Sequence, residues 1–151
     1  MGRRILIIDG HPDARAERFI HALAQAYGES AEQAGHEIRQ ILISELNFPL
    51  LRRSEDFENG IPPPVIRRCQ EAIAWADHLL ILLPLWLGSM PALFYRWYFR
   101  AHSLKSLARN ILGFCGIGPI RQSLIGMIAT GDSTARQQWL GKMRTLGSKG
   151  Q

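Results

Sequence analysis

The sequence predicts a doubly wound, parallel α/β sheet of four strands, formed as one domain over residues 1–151. Three observations carry this. Two apolar runs, Arg4–Asp9 and His78–Pro84, lack polar alternation and therefore read as strands buried on both faces. Segments with helical spacing stand between and after them. Strand and helix patterns then alternate along the whole 151 residues, a length that suits one domain.

Each element has its own signal. "RILIID" stops at Gly10, and "GHPDAR" supplies turn residues. From Glu17 the spacing turns helical, with Phe19, Leu23, Ala26, Tyr27 and Ser30 on one face and Gly35 as the stop. "HEIRQILISEL" reads as a second strand, and its Arg39 and Gln40 place it at an edge. A polar connection runs from Asn47 to Pro64. Pro62-Pro63-Pro64 opens a helix with Val65, Ile66, Cys69, Ala72, Ile73 and Ala76 on one side. "HLLILLP" is the third strand, central by its unbroken apolar character. Helical spacing resumes after Gly88-Ser89, with Phe94, Trp97 and Tyr98, then Leu104, Leu107 and Ile111. "QSLIGMIATG" is the fourth strand. Asp132-Ser133 cap a last helix through Trp139, Leu140, Met143 and Leu146, and the tail "GSKGQ" is expected to fray.

Composition excludes several classes. No apolar run is long enough to span a bilayer, and the N-terminus lacks a signal-peptide core, so a cytoplasmic protein with no integral membrane segment is expected. Cys69 and Cys115 stand apart among apolar residues, which predicts two reduced thiols packed in the core and no metal site. The net charge of +5 comes mainly from arginines scattered as pairs. That pattern fits solvated faces and a small anionic ligand, and no nucleic-acid recognition motif is present.

Two stretches bear on chemistry. "IIDGHPDARAERF" is a strand, a glycine turn and a helix start, which offers backbone N–H groups and a helix dipole to an anion. His11, Arg15 and Arg18 add donors there, although the stretch equally suits an ordinary strand-to-helix turn. "PLWLGSMP" follows the third strand. Pro84 ends the ladder, Trp86 offers a flat face, and Gly88 permits close backbone approach, a wall suited to a planar ligand. A lone Trp in such a place is otherwise a capping core residue.

"ILIIDGHPD" together with "ADHLLILLPLWLGSMPAL" resembles the flavodoxin-like NAD(P)H:quinone oxidoreductase family, as does "NILGFCGIGPIRQSLIGMI" near the C-terminus. The resemblance implies a flavodoxin-like fold and a bound flavin, FAD or alternatively FMN, with NAD(P)H as co-substrate. It implies hydride passage to a quinone-type acceptor by a homodimer. The flavin phosphates would lie on the turn with His11 and Arg18, and the ring against Pro84, Leu85, Trp86, Leu87 and Gly88. Tyr95 and His102 match the family's charge-stabilising Tyr and His.

The resemblance has two gaps. Arg18 and Ile20 stand where family members often place Ser and Asn. After "GSMPAL" the chain runs directly into "FYRWYFRAHSLKSL", which resembles a later family segment. The missing piece amounts to about thirty to forty residues, one strand-plus-helix unit. An internal deletion joined at Met90–Leu93 is therefore expected, with four strands left and the activity impaired. The alternative function is a non-catalytic remnant that binds a nucleotide or a protein. A receiver domain is disfavoured, because the first strand ends in a single Asp9 and the third in Pro84.

Overall fold

The computed structural model describes residues 2–49, 53–84, 107–123, 125 and 133–151. It divides into two compact units, Met1–Pro84 with Gln137–Gln151, and Leu85–Arg136.

The first unit is built on a parallel sheet. Strand β1 is Arg4–Asp9, β2 is Glu37–Leu42 and β3 is His78–Leu82, in the order β2-β1-β3 among the described residues. Ile5 pairs with Ile38 on one side and His78 on the other; Asp9 pairs with Leu42 and Leu82. β1 is therefore interior, and its Ile5, Leu6 and Ile7 are buried as its unbroken apolar run requires. β2 carries exposed Glu37, Arg39 and Gln40 and pairs with β1 alone among the described residues, as an edge strand would.

Helix α1, Phe19–Gln33, joins β1 to β2 and buries Leu23, Ala24, Ala26, Tyr27, Gly28 and Ala31. Its stop is a Schellman cap. Gly35, at φ 83°, donates its N–H to the Glu32 carbonyl, and His36 donates to Ala31. Only a residue without Cβ holds that backbone cheaply.

The connection after β2 contains more order than its polarity suggests. A 3₁₀ turn at Ile43–Glu45 is followed by a short helix α2, Ser54–Asn59. Helix α3, Pro64–Trp75, then leads into β3, with proline in its first turn. Val65, Ile66, Cys69 and Ala72 are half-buried, whereas Ile73 is exposed. The Arg39 guanidinium lies 4.0 Å over the Trp75 ring, tying the edge strand to α3. Parallel crossovers are right-handed. The chain moves outward from β1 to β2 and returns past β1 to β3, so α1 and α3 cover opposite faces of the sheet.

Helix α4, Ser133–Lys149, ends in a second cap of the same kind, in which Gly150 donates to Gly147 and Gln151 to Leu146. The expected fraying of "GSKGQ" is overturned. Gly147 and Gly150 are buried, and Arg3 Nη1 donates to the Gly150 carbonyl at 2.9 Å.

In the second unit the described residues form a π-helical turn, Leu107–Leu112, followed by a turn at 113–116. Here the thiol expectation fails. Cys115 is exposed, and its apolar neighbours Ile111 and Phe114 are 55% and 88% exposed. An apolar sequence context marked a surface turn rather than a core. Cys69 is only half-buried. The expected fourth strand falls mostly outside the described residues and the Met90–Leu93 join wholly so; the described Gln122, Ser123 and Ile125 are not strand.

Candidate functional site

In a doubly wound sheet, ligands bind beyond the carboxyl ends of the strands where the strand order reverses. In the order β2-β1-β3 that point lies between β1 and β3, at Asp9-Gly10 and Leu82-Leu83-Pro84. Gly10 donates its N–H to the Leu82 carbonyl at 2.8 Å, so the ladder runs one bond past the strand. A Cβ on Gly10 would stand 2.6 Å from Leu83 Cδ2 and 2.8 Å from the Leu82 oxygen. Only glycine lets the two strand ends close this tightly. Leu83 is 43% exposed beside it, an apolar side chain at the mouth, and Pro84 is half-buried.

The loop from Gly10 to Arg18 is organised by a buried acid. The Asp9 side chain, 1% exposed, receives the His11 backbone N–H at 3.1 Å on Oδ1 and the His21 ring on Oδ2. His21 sits in the first turn of α1, and its other ring nitrogen lies 2.8 Å from the Asp13 carbonyl. The same residue's N–H reaches His11 Nδ1 at 3.0 Å. His11 Nδ1 also stands 3.2 Å from the Asp13 carbonyl. The two imidazoles stand edge to face, 5.6 Å between centroids. Desolvation works against a charged His21, but the Asp9 carboxylate and the Asp13 carbonyl outweigh it and raise its pKa.

Above this anchor stands a cationic fork. Arg15 Nε donates to Asp13 Oδ1 at 3.0 Å and Oδ2 at 2.9 Å, Arg15 Nη2 donates to Oδ2 at 2.6 Å, and Arg18 Nε donates to Oδ2 at 2.8 Å. Hydrogen bonding from Arg15 is the main reason that the Asp13 carboxyl lies well below the usual carboxylate range. Arg18 is also the N-cap residue of α1, a helix with no acidic residue in its first turn.

The structure therefore brings His11 and Arg18 together on one loop, with Pro84 across the strand ends. Leu85, Trp86, Leu87, Gly88, Tyr95 and His102 lie outside the described residues. Sequence reasoning missed Asp9, Asp13 and His21. Asp9 had a signal, since an ionisable residue closing an otherwise apolar strand must find a buried partner. Among the described residues no cluster of His, Cys, Asp or Glu could hold a metal ion, and no helix is long and apolar enough to cross a membrane.

Comparison with known proteins follows the same lines. An NAD(P)H:quinone oxidoreductase from Methanothermobacter marburgensis superposes with a TM-score of 0.69, at 19% identity and full coverage of both chains. Smu.1420 from Streptococcus mutans UA159 superposes with a TM-score of 0.67, at 17% identity, covering 97% of this chain and 99% of that one. Identities this low establish a shared fold. No curated protein matches the sequence. The model of the Flavodoxin_2 family, described as a flavodoxin-like fold, matches residues 3–101, well over half of the chain. With its parallel sheet, helices and strand order, the chain belongs to this flavodoxin-like family.

Proposed function

We propose that the protein is a flavin-dependent oxidoreductase that takes hydride from NAD(P)H and delivers it to a quinone-type acceptor. The observation that carries this reading is the loop at the β1/β3 switch point, where Arg15, Arg18 and His11 gather beside the Gly10 close approach. The residues present fit a dinucleotide. Two guanidiniums and an imidazole suit phosphates, and a glycine-backed mouth beside Leu83 suits an apolar ring. When bound, a flavin supplies reversible two-electron hydride chemistry between a nicotinamide and an acceptor.

In this reading His11 and Arg18 bind phosphate, and the Asp9–His21 pair fixes the loop in place. Pro84, Leu85, Trp86, Leu87 and Gly88 wall the ring, and Tyr95 and His102 stabilise developing negative charge on it. FAD is favoured over FMN because two arginines can meet a pyrophosphate. Homodimerisation belongs to the same reading, with exposed Ile111 and Phe114 as apolar surface of the kind that copies bury.

Titration of FAD and FMN into the protein, followed by absorbance and fluorescence, tests the reading; absence of binding to either would sink it. Bound flavin with no NAD(P)H-driven reduction of menadione would favour the second reading, a nucleotide-binding module without turnover. That alternative draws on the gap in the family resemblance at Met90–Leu93.

A further inference from the structure

We propose that the Asp13 carboxylate is a built-in competitor for the ligand's phosphate, which it must vacate before Arg15 and Arg18 can bind a pyrophosphate. This rests on the reading of the Gly10–Arg18 loop as the phosphate site. Arg15 gives Asp13 its Nε–Nη2 edge, and Arg18 gives the same edge to Oδ2. That planar edge is what a guanidinium uses to grip a phosphate. The side-on edge of each guanidinium is therefore engaged by one internal anion.

Two features make the competitor displaceable. The ion pairs are open to solvent, with side-chain exposures of 65% and 41% for the arginines and 26% for Asp13. Exposed pairs of this kind are weak, so a ligand with several negative charges outcompetes one carboxylate. The Asp13 carboxylate also accepts the Arg15 backbone N–H at 3.1 Å on Oδ1, but the Asp13 backbone has anchors of its own. Its N–H bonds to His11 Nδ1, and its carbonyl lies against His21 Nε2. When the side chain swings out, the Arg15 N–H is released to the ligand and these two anchors continue to hold the loop at Asp13. Asp13 also cancels one of the two positive charges, which biases the site against monoanions and toward pyrophosphate-bearing ligands.

The test is calorimetric titration of inorganic pyrophosphate and orthophosphate into the full-length wild type, Asp13→Asn, Asp13→Glu and Arg18→Gln, with circular dichroism confirming the fold. Asp13→Asn should bind pyrophosphate several-fold tighter, up to about tenfold, and should lose discrimination against orthophosphate. Asp13→Glu should stay within about twofold of wild type, and Arg18→Gln should weaken binding. Asp13→Ala serves in place of Asp13→Asn should the amide misfold. Unchanged or weaker binding by the neutral variants would overturn the proposal, since Asp13 would then merely position the arginines. Failure of every variant to bind pyrophosphate would overturn it too. FAD titrated in parallel separates the two readings. Pyrophosphate binding in the expected order without FAD binding would keep the competition and remove the flavin function.

Discussion

Asp9 and His21, twelve residues apart, meet as a buried acid and an imidazole whose two nitrogens both face oxygens that only accept. With the ring protonated, the Asp9 carboxylate takes one ring N–H and the Asp13 carbonyl the other, which is why these two neighbours raise the His21 pKa. The last residue of β1 is thereby tied to the first turn of α1, and the loop between them is held at both ends.

Removing the imidazole should expose this dependence. His21→Ala leaves Asp9 buried without its cation, a change expected to cost about 3 kcal/mol. The loss should be largest at low pH. The folded pKa of His21 is raised above 6.5. Its contribution is then full below that unfolded value and fades as pH rises through the folded one. Urea unfolding of both proteins at pH 6 and pH 9 should show the gap narrowing at pH 9.

Arg4 and Asp77 pin the amino end of β1 to the entry of β3. Arg4 Nη2 donates to Asp77 at 2.6 Å, and hydrogen bonding from Arg4 lowers the Asp77 pKa to about 2. A depressed carboxylate stabilises above its unfolded value, 3.8, and loses that contribution as pH falls toward 2. Both side chains are half exposed, so the effect is small. In Asp77→Asn the stability should fall less steeply between pH 4 and pH 2, as followed by acid titration of the far-UV signal.

Tyr27 is fully buried, and its hydroxyl has no hydrogen-bond partner among the described residues. Burial also pushes its pKa up to about 12. An unsatisfied buried donor costs about 1–3 kcal/mol, so Tyr27→Phe should stabilise the protein, by about 1 kcal/mol after the small void is counted. Chemical denaturation that shows a lower midpoint for Tyr27→Phe would contradict this.

Gly10→Ala should be the most damaging small substitution at the mouth of the site. Its Cβ would lie 2.8 Å from the Leu82 oxygen, a backbone atom that cannot move without opening the β1–β3 ladder. A loss of about 2 kcal/mol is expected from such overpacking. Flavin affinity should fall with it, since the same carbonyl fixes the Gly10 N–H.

The sheet was legible because apolar runs without alternation report burial on both faces, and Arg39 and Gln40 marked the edge strand. Gly35 announced the end of α1 by the conformation it alone tolerates. What stayed hidden depended on distance rather than type. Nothing in "GHPDAR" says that Asp13 grips Arg15 and Arg18, or that His21 reaches back to Asp9. These are tertiary choices among several available partners. Cys115 misled for the opposite reason. Apolar neighbours imply burial only where a surface comes to cover them, and in 113–116 the chain turns outward.

The grip of Arg3 on the Gly150 carbonyl has a temporal side. Residues 137–151 belong to the same unit as residues 1–84, and Gly147 lies against the Tyr27 backbone. The sheet is thus synthesised early, but its last cover arrives only when about fifty further residues have been made. Until then Tyr27 and the amino end of β1 lack the cover that Gly147 and Gly150 give them.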